Sequence, residues 1–580
     1  MQFFRLLKYA GKYKKYLILC PLVMIGEVVM EMLLPMLTAD LIDNIIPQSA
    51  QTGHIGRVIA YGGLMILMAL ISMGFGMAGS RFSALGGMGF SRNLRQAIFE
   101  KVQKYSFKNI DKFSTASLVT RLTTDVNQTQ MVVMMLVRMA VRSPIMMVMA
   151  IVMAYRMNPS MMPILLVALP ILLAAIVLIM SKAFPRFQIM MKKYDALNAS
   201  VQENLIGIRV VKAFVRATHE KDKFEASADD VTATQRAAEK IVIWNGPIMS
   251  ILMNACIIAA LWLGGNQIIG GHMEMGALSA FIQYMIQILM SLMMLSFLFV
   301  SFVMARASVN RICEVLDEEP EIKNPETGAE TEVKDGSIVF ENVGFSYAGD
   351  KENLVLENVN LSIRSGETIG IIGGTGSAKT TLVSLIPRLY DVTVGKVLVG
   401  GRDVREYDMH ALRNQVAMVL QKNVLFSGSI KDNLRWGNEN ATDEEIVAAC
   451  QAAAADDFIR TFPEQYDMDL GQGGVNVSGG QKQRLCIARA LLKRPRIIIF
   501  DDATSAVDTA TDARIRQALR SHMPDTTKLI IAQRITSVMD ADRIMVLDDG
   551  KIMDFGTHDE LMNRCEIYKE VYTSQQKGVA

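Results

Sequence analysis

No two of the six cysteines (Cys20, Cys256, Cys313, Cys450, Cys486 and Cys565) form a CxxC pair. That absence argues against a disulfide framework or a zinc site and points to reduced thiols. Net charge is nearly missing too. A formal +2 over 580 residues lacks the basic excess that nucleic-acid binding demands. The chain does contain two compositions joined end to end. Half of its residues are hydrophobic and a fifth are charged, which excludes a disordered chain and equally a bare bundle of membrane spans. The length exceeds one ordinary core, so a membrane half followed by a soluble half is expected.

Six apolar stretches precede residue 305, near 16–40, 59–79, 131–155, 161–181, 243–268 and 278–304. Each approaches or exceeds the roughly 20 residues that cross a bilayer as helix. The first is too long for a cleavable signal peptide and carries Glu27 and Glu31, so all six spans are expected to be kept. Lys and Arg crowd the segment before the first span and the segments 81–130 and 182–240, while the intervening connections are nearly bare. By the positive-inside rule both termini and both long connections lie in the cytosol. Those connections are too long for structureless loops. They read as helical arms reversing near Phe113 and Gly207, with two small cytosolic hairpins as the alternative.

Charges inside spans are costly and need partners. Glu27 and Glu31 share a face of the first helix, and Arg138 and Arg142 share a face of the third. The two faces either meet or line an aqueous cavity; alternatively the arginines sit below the membrane. Gln283, Gln287 and Ser291 form a polar stripe on the sixth span that is expected to face the bundle interior and line a pathway. Methionine is strongly partitioned, with 33 of 41 at or before Met304. Flexible thioethers suit a cavity that repacks around varied apolar molecules, although plain packing and lipid contact read equally well. A copper route has no Cys or His partners beside it.

Composition changes after Arg306. Residues 306–336, acidic and proline-containing from Asp317 onward, read as a linker, and an α/β pattern starts at Ser337. Thr368–Ile372 is a buried strand running into Gly373, Gly374, Thr375, Gly376, Ser377, Ala378, Lys379, Thr380 and Thr381, then into a helix. This is a phosphate loop: backbone N–H groups and the helix start hold phosphates, Lys379 adds a charge, and Thr380 offers a hydroxyl to Mg²⁺. Ala378 stands where glycine ordinarily precedes the lysine. A second strand, Ile497–Phe500, ends in Asp501, placed to serve Mg²⁺. Val477, Ser478, Gly479, Gly480 and Gln481 open another helix and make a second anion site about a hundred residues further along.

On these residues the stretch 337–574 resembles the nucleotide-binding domain of ATP-binding cassette (ABC) transporters. The whole chain resembles a half-size exporter of that family, with six membrane helices at 1–305, a linker at 306–336 and a short tail at 575–580. The fold class expected is thus multi-domain: an all-α membrane domain and an α/β P-loop ATPase domain. The resemblance implies ATP and Mg²⁺ as cofactors, with Tyr347 stacking on adenine and Gln421 joining Thr380 and Asp501 at the metal. It makes Val477–Gln481 the signature presented to a partner's ATP and Ser505, Ala506, Val507 and Asp508 the loop after the second strand. It also makes Asp111–Leu118 and Ile206–Phe214 coupling helices. In this family two cassettes enclose two ATP molecules, each between one subunit's phosphate loop and the other's signature.

Two departures stand out. The family's catalytic glutamate is Asp502, one methylene shorter, and its switch histidine is Gln533, an amide that cannot become an imidazolium. Together they imply a site that binds ATP and hydrolyses it poorly. Because the signature is intact, the economical expectation is a heterodimer with a non-identical half-transporter that carries the competent residues, as in asymmetric multidrug exporters. A homodimer with two slow sites is the alternative. Gln472, near the signature, stands where glutamate is common. The function expected is export of apolar or amphipathic small molecules across the plasma membrane. The competing readings are a lipid or peptide exporter with the same engine and a nucleotide-gated membrane subunit with little turnover.

Overall fold

The computed structural model describes residues 2–325, 327–505 and 507–577. The chain divides into two compact units, one of residues 1–103 and 115–318, the other of residues 104–114 and 319–580.

The first unit is entirely helical and holds six helices long and apolar enough to cross a membrane: Gln2–Thr52, Gly56–Gln103, Thr115–Met157, Pro159–Ile206, Ala217–Ile269 and Met275–Asp317. Within them the regular segments are α1 (Lys14–Asp40), α2 (Gly56–Gln103), α4 (Val126–Met157), α5 (Met162–Ile206), α7 (Ala217–Val242), α8 (Asn245–Ile269) and α9 (Met275–Asp317). The short helices α3 (Phe107–Phe113) and α6 (Ile208–Ala213) fall at the two expected reversals. The first reversal begins earlier than the expected Asp111.

Helix α1 buries Cys20, Met24, Val28 and Met32, a strict i, i+4 stripe. Helix α2 meets it with small residues. A Cβ on Gly79 would lie 2.2 Å from Met24 Cε, and one on Gly87 would lie 2.2 Å from Met134 Cγ of α4. Close backbone approach through such residues is how helices associate where no water drives them together. Asp43, just past α1, accepts from the N–H groups of Gly276 (2.6 Å) and Ala277 (3.0 Å), which satisfies orphan donors at the start of α9 and complements its dipole. Helices α1, α2, α4 and α9 form one packed group, whereas α5 packs chiefly on α7 and α8.

Helix α9 continues through 306–317, which the sequence reading gives to the linker. Val309, Ile312, Cys313 and Val315 are buried there at helical spacing, so the apolar face outlasts the membrane span. Arg311 grips the fully buried Asp125 carboxylate with two N–H groups, at 2.8 and 2.5 Å. This ties the start of α4 to the C-terminal end of α9.

The second unit is α/β with two sheets. The strands are β1 (Ile338–Phe345), β2 (Leu356–Ile363), β3 (Thr368–Ile372), β4 (Val394–Val399), β5 (Arg402–Asp403), β6 (Val416–Val419), β7 (Ile497–Asp501), β8 (Thr527–Ile531), β9 (Arg543–Asp548) and β10 (Lys551–Gly556). A four-stranded antiparallel sheet runs β2-β1-β4-β5, and a six-stranded sheet runs β10-β9-β3-β8-β7-β6, parallel except at β10. Strands β3, β7 and β8 are buried at every residue, as expected for parallel strands covered on both faces. The expected fold class, six apolar helices followed by an α/β domain, is what the chain adopts.

Candidate functional site

Four neighbouring parallel strands, β3, β8, β7 and β6, each deliver a singled-out residue just beyond their C-terminal ends. Ligands collect at such edges in open α/β sheets. After β3 the chain turns through Gly373–Ala378 into helix α10 (Lys379–Ser384). Gly373 permits the turn, since a Cβ there would lie 2.1 Å from the Leu547 carbonyl oxygen. Gly376 and Ala378 both take left-handed backbone conformations, with φ of 86° and 68°. The sequence oddity at 378 is therefore a methyl group in a conformation that favours glycine.

Lys379 Nζ donates to the carbonyls of Gly373 (2.9 Å) and Gly374 (2.6 Å) and to Ser377 Oγ (3.2 Å). Burial pulls its ammonium below the ordinary lysine range, against the pull of Asp501 and Asp502. Thr380 Oγ1 donates to both Asp501 oxygens, at 2.9 and 3.0 Å. Burial also pushes the Asp501 carboxyl up, and the neighbouring Asp502 adds to that. A hydroxyl against a carboxylate at the end of a phosphate-type loop is the donor set a Mg²⁺ ion accepts. Gln421, two residues past β6, is exposed. The register of β6 with β7 ends with Val419 opposite Phe500, so Gln421 follows β6 from the same sheet edge at which β7 delivers Asp501.

Asp502 is buried and left-handed, φ 51°. Its N–H donates to the Ile531 carbonyl (3.1 Å), and its carbonyl receives Gln483 Nε2 (3.2 Å) and Ser505 Oγ (2.9 Å). Gln533, two residues past β8, donates from Nε2 to Asp502 Oδ2 at 2.7 Å. The two departures from the family pattern thus contact each other.

Tyr347 Oη and Thr381 Oγ1 lie 2.9 Å apart, so the aromatic expected to meet adenine is fixed to the helix behind the loop. Tyr390 stands edge-on to it, ring centroids 5.3 Å apart, and donates to Asp111 Oδ2 of α3 at 2.9 Å. Burial first, then that bond, raises the Tyr390 phenol above its ordinary value. The reversal helix α3 therefore belongs to the same unit as the nucleotide-type site and touches its aromatic wall. Tyr390 carries no motif signal, and its contact with Asp111 spans 279 residues of sequence.

The Val477–Gln481 segment opens helix α13 (Gly479–Leu492); two of the helices before it are α11 (Ile430–Arg435) and α12 (Asp443–Ala452). Ser478 caps α13, its hydroxyl accepting from Gln481 N–H while Gln481 Oε1 accepts from Ser478 N–H (2.8 Å), a reciprocal capping box. Val477 is buried, Ser478 and Gly479 are exposed, and a Cβ on Gly479 would meet nothing within 4 Å. Helix α13 packs on α11, α12 and β6, whereas α10 packs on β8. The two anion-type helix starts thus belong to different parts of the unit. Asp508 caps helix α14 (Thr509–His522) by accepting from Thr511 N–H (2.9 Å), which holds its carboxyl below the ordinary range. Val507 is buried; Ala506 lies outside the described residues.

In the helical unit Arg142 pairs with both acids. Its Nη2 donates to the Glu31 oxygens at 2.8 Å, and its Nε lies 3.7 Å from Glu27 Oε1. The two charged faces meet through Arg142, and Arg138 forms no ion pair among the described residues. Glu27 Oε2 and Gln287 Oε1 are buried without a hydrogen-bond partner among them. Ser291 is buried with its hydroxyl on the Gln287 carbonyl (2.7 Å), and Gln283 is half-buried.

A helical unit of six spans joined to a sheet that gathers a phosphate-type loop, a Mg²⁺-type carboxylate and a capped Ser-Gly-Gly helix defines a membrane-bound P-loop protein. The chain matches the ABC transporter transmembrane region family over residues 17–292 and the ABC transporter family over 356–505. It is 37% identical over 555 residues, 96% of this chain and 95% of the relative, to YfiB, an uncharacterised ABC transporter ATP-binding protein of Bacillus subtilis (strain 168). It is 31% identical over 516 residues, 88% of this chain and 85% of the relative, to the ATP-dependent lipid A-core flippase of Syntrophus aciditrophicus (strain SB). The fold is shared with the ATP-bound structure of a bacterial Atm1-family ABC exporter at a TM-score of 0.80 and 23% identity, over 97% of this chain and 98% of that one. The chain belongs to the ABC transporter family and has the build of a half-size ABC exporter: a multi-pass membrane protein with an ATP-binding ATPase domain.

Proposed function

We propose that the chain is the slow-site subunit of a heterodimeric exporter that moves amphipathic or apolar small molecules outward across the plasma membrane by alternating access. The membrane domain ends with α9 at Asp317, the linker follows from Glu318 to Gly336, and the cassette runs from Ser337 through Lys577, with both termini and the cassette in the cytosol. Tyr347 stacks on adenine, and the backbone of Gly373–Ala378, Lys379 and Thr381 holds the phosphates. Thr380, Asp501 and Gln421 hold Mg²⁺, which when bound neutralises charge on the phosphate oxygens. Ser478 and Gly480 face the ATP of the partner's phosphate loop.

The observation that carries this reading is the 2.7 Å bond from Gln533 to Asp502. The carboxylate at the base position is one methylene short and already engaged by a neutral amide from the switch position. That pair is suited to retaining a nucleotide and poorly suited to polarising water. A second chain is supported by the exposed apolar knuckle at α6, where Val210, Phe214 and Val215 are 60%, 74% and 86% exposed. Apolar side chains clustered and exposed on one knuckle are what a partner surface could cover.

Asp502→Ala in the assembled pair is expected to leave ATP turnover within about twofold, because the partner's site dominates. Loss of nearly all turnover would refute the slow-site assignment. Lipid export by the same engine is the second reading, favoured by the similarity to the lipid A-core flippase. Transport assays in vesicles with fluorescent lipid and with a cationic dye separate the two cargoes.

A further inference from the structure

The last helix, α15 (Glu566–Lys577), runs through residue 575, where the sequence reading begins a tail. It is fastened to the cassette core. Tyr568 is fully buried and bonded to His558 Nδ1 (2.8 Å), and Val571 and Tyr572 pack on the core that holds Ile535 and Val538. One turn beyond Val571, Gln575 spans the backbone just after β8. Its Nε2 donates to the Gln533 carbonyl at 2.8 Å, and its Oε1 accepts from the Ile535 N–H at 2.9 Å. A carboxamide suits this task because it presents a donor and an acceptor in one plane.

We propose that Gln575 is a positioning residue for the nucleotide site: by clamping residues 533 and 535 it aims the Gln533 side chain at Asp502. The clamp's two bonds go to the backbone of residues 533 and 535, so it acts on Asp502 through residue 533. The proposal rests on the reading of Gln533 and Asp502 as the altered switch and base, although its first test does not depend on that reading. Regular strand ends at Ile531 and a short 3-10 turn begins at Ile535. The residues between, Gln533 among them, therefore take their backbone direction partly from a helix 40 residues further along the chain.

The test uses the full-length chain, assembled with its partner in lipid nanodiscs, as wild type, Gln575→Ala and Gln575→Asn, with Gln576→Ala as control. Among the described residues Gln576 donates to Tyr572 Oη, at 3.0 Å, on its own helix. Hydrogen exchange of the peptide spanning 530–537 should quicken about tenfold in Gln575→Ala, the scale of one net hydrogen bond lost. It should quicken less in Gln575→Asn, whose shorter side chain reaches one partner at most, and not at all in Gln576→Ala. Release of radiolabelled ATP retained by this chain's pocket should quicken about fivefold or more in Gln575→Ala. Unchanged exchange overturns the clamp. Faster exchange with unchanged release and turnover reduces Gln575 to a structural staple and overturns the positioning role. If wild type itself releases ATP at once, the slow-site reading fails on its own. The positioning role then stands only if Gln575→Ala changes kcat with KM unaltered.

Discussion

Ala378 holds a left-handed backbone (φ 68°) at the foot of the phosphate loop, and a Cβ in that conformation costs about 1 kcal/mol. Ala378→Gly should therefore stabilise the cassette by roughly that amount, read as a higher denaturation midpoint; a lower midpoint would show that the methyl group's packing outweighs its strain. Within the helical unit the decisive residue is Arg142. Its loss would leave two carboxylates without their cation, Glu27 and Glu31 being only 12% and 29% exposed at the side chain. Arg142→Ala is expected to cost about 3–5 kcal/mol, whereas Arg138→Ala should cost far less. Thermal unfolding in one detergent compares the two variants, and equal losses would contradict the pairing. The sequence shows both charged faces, because i, i+4 spacing fixes a face. It does not show that one arginine serves both acids. Glu31 and Arg142 are 111 positions apart, and so are Glu27 and Arg138, so spacing alone suggests two symmetrical rungs. Side-chain reach and helix packing decide otherwise.

Among elements, the strand–loop–helix about Lys379 and the capped helix at Ser478 were legible because their chemistry is local. Glycines mark tight turns, and a Ser-x-x-Gln capping box announces a helix start. The end of α9 was not. Acidic residues and proline after Asp317 suggest a linker, and the buried positions Val309, Ile312 and Cys313 that extend the helix become visible only against their neighbours. Tyr390 and Gln575 escaped for the same reason, since their partners Asp111 and Gln533 are brought together by the fold alone. At this scale the signature helix gives a sharp expectation. Ser478→Leu removes an N-cap worth about 1 kcal/mol but should slow ATP turnover of the assembled pair by about a hundredfold, since in the proposed composite site the bulk falls at the partner's nucleotide. A loss of stability with normal turnover would contradict the composite site.

For the molecule as a whole, composition and charge placement already separated a membrane half from a soluble half, and the six spans fall inside the six long helices. Whether the proposed non-identical subunit is needed turns on the chemistry of one pocket, Asp502 held by Gln533. ATP turnover by this chain purified alone in lipid nanodiscs tests that most directly, measured beside the double variant Asp502→Glu, Gln533→His. The account predicts slow turnover for the unaltered chain and an increase of about tenfold or more in the variant. Brisk turnover by the unaltered chain without any other subunit, unimproved by the two substitutions, would contradict it.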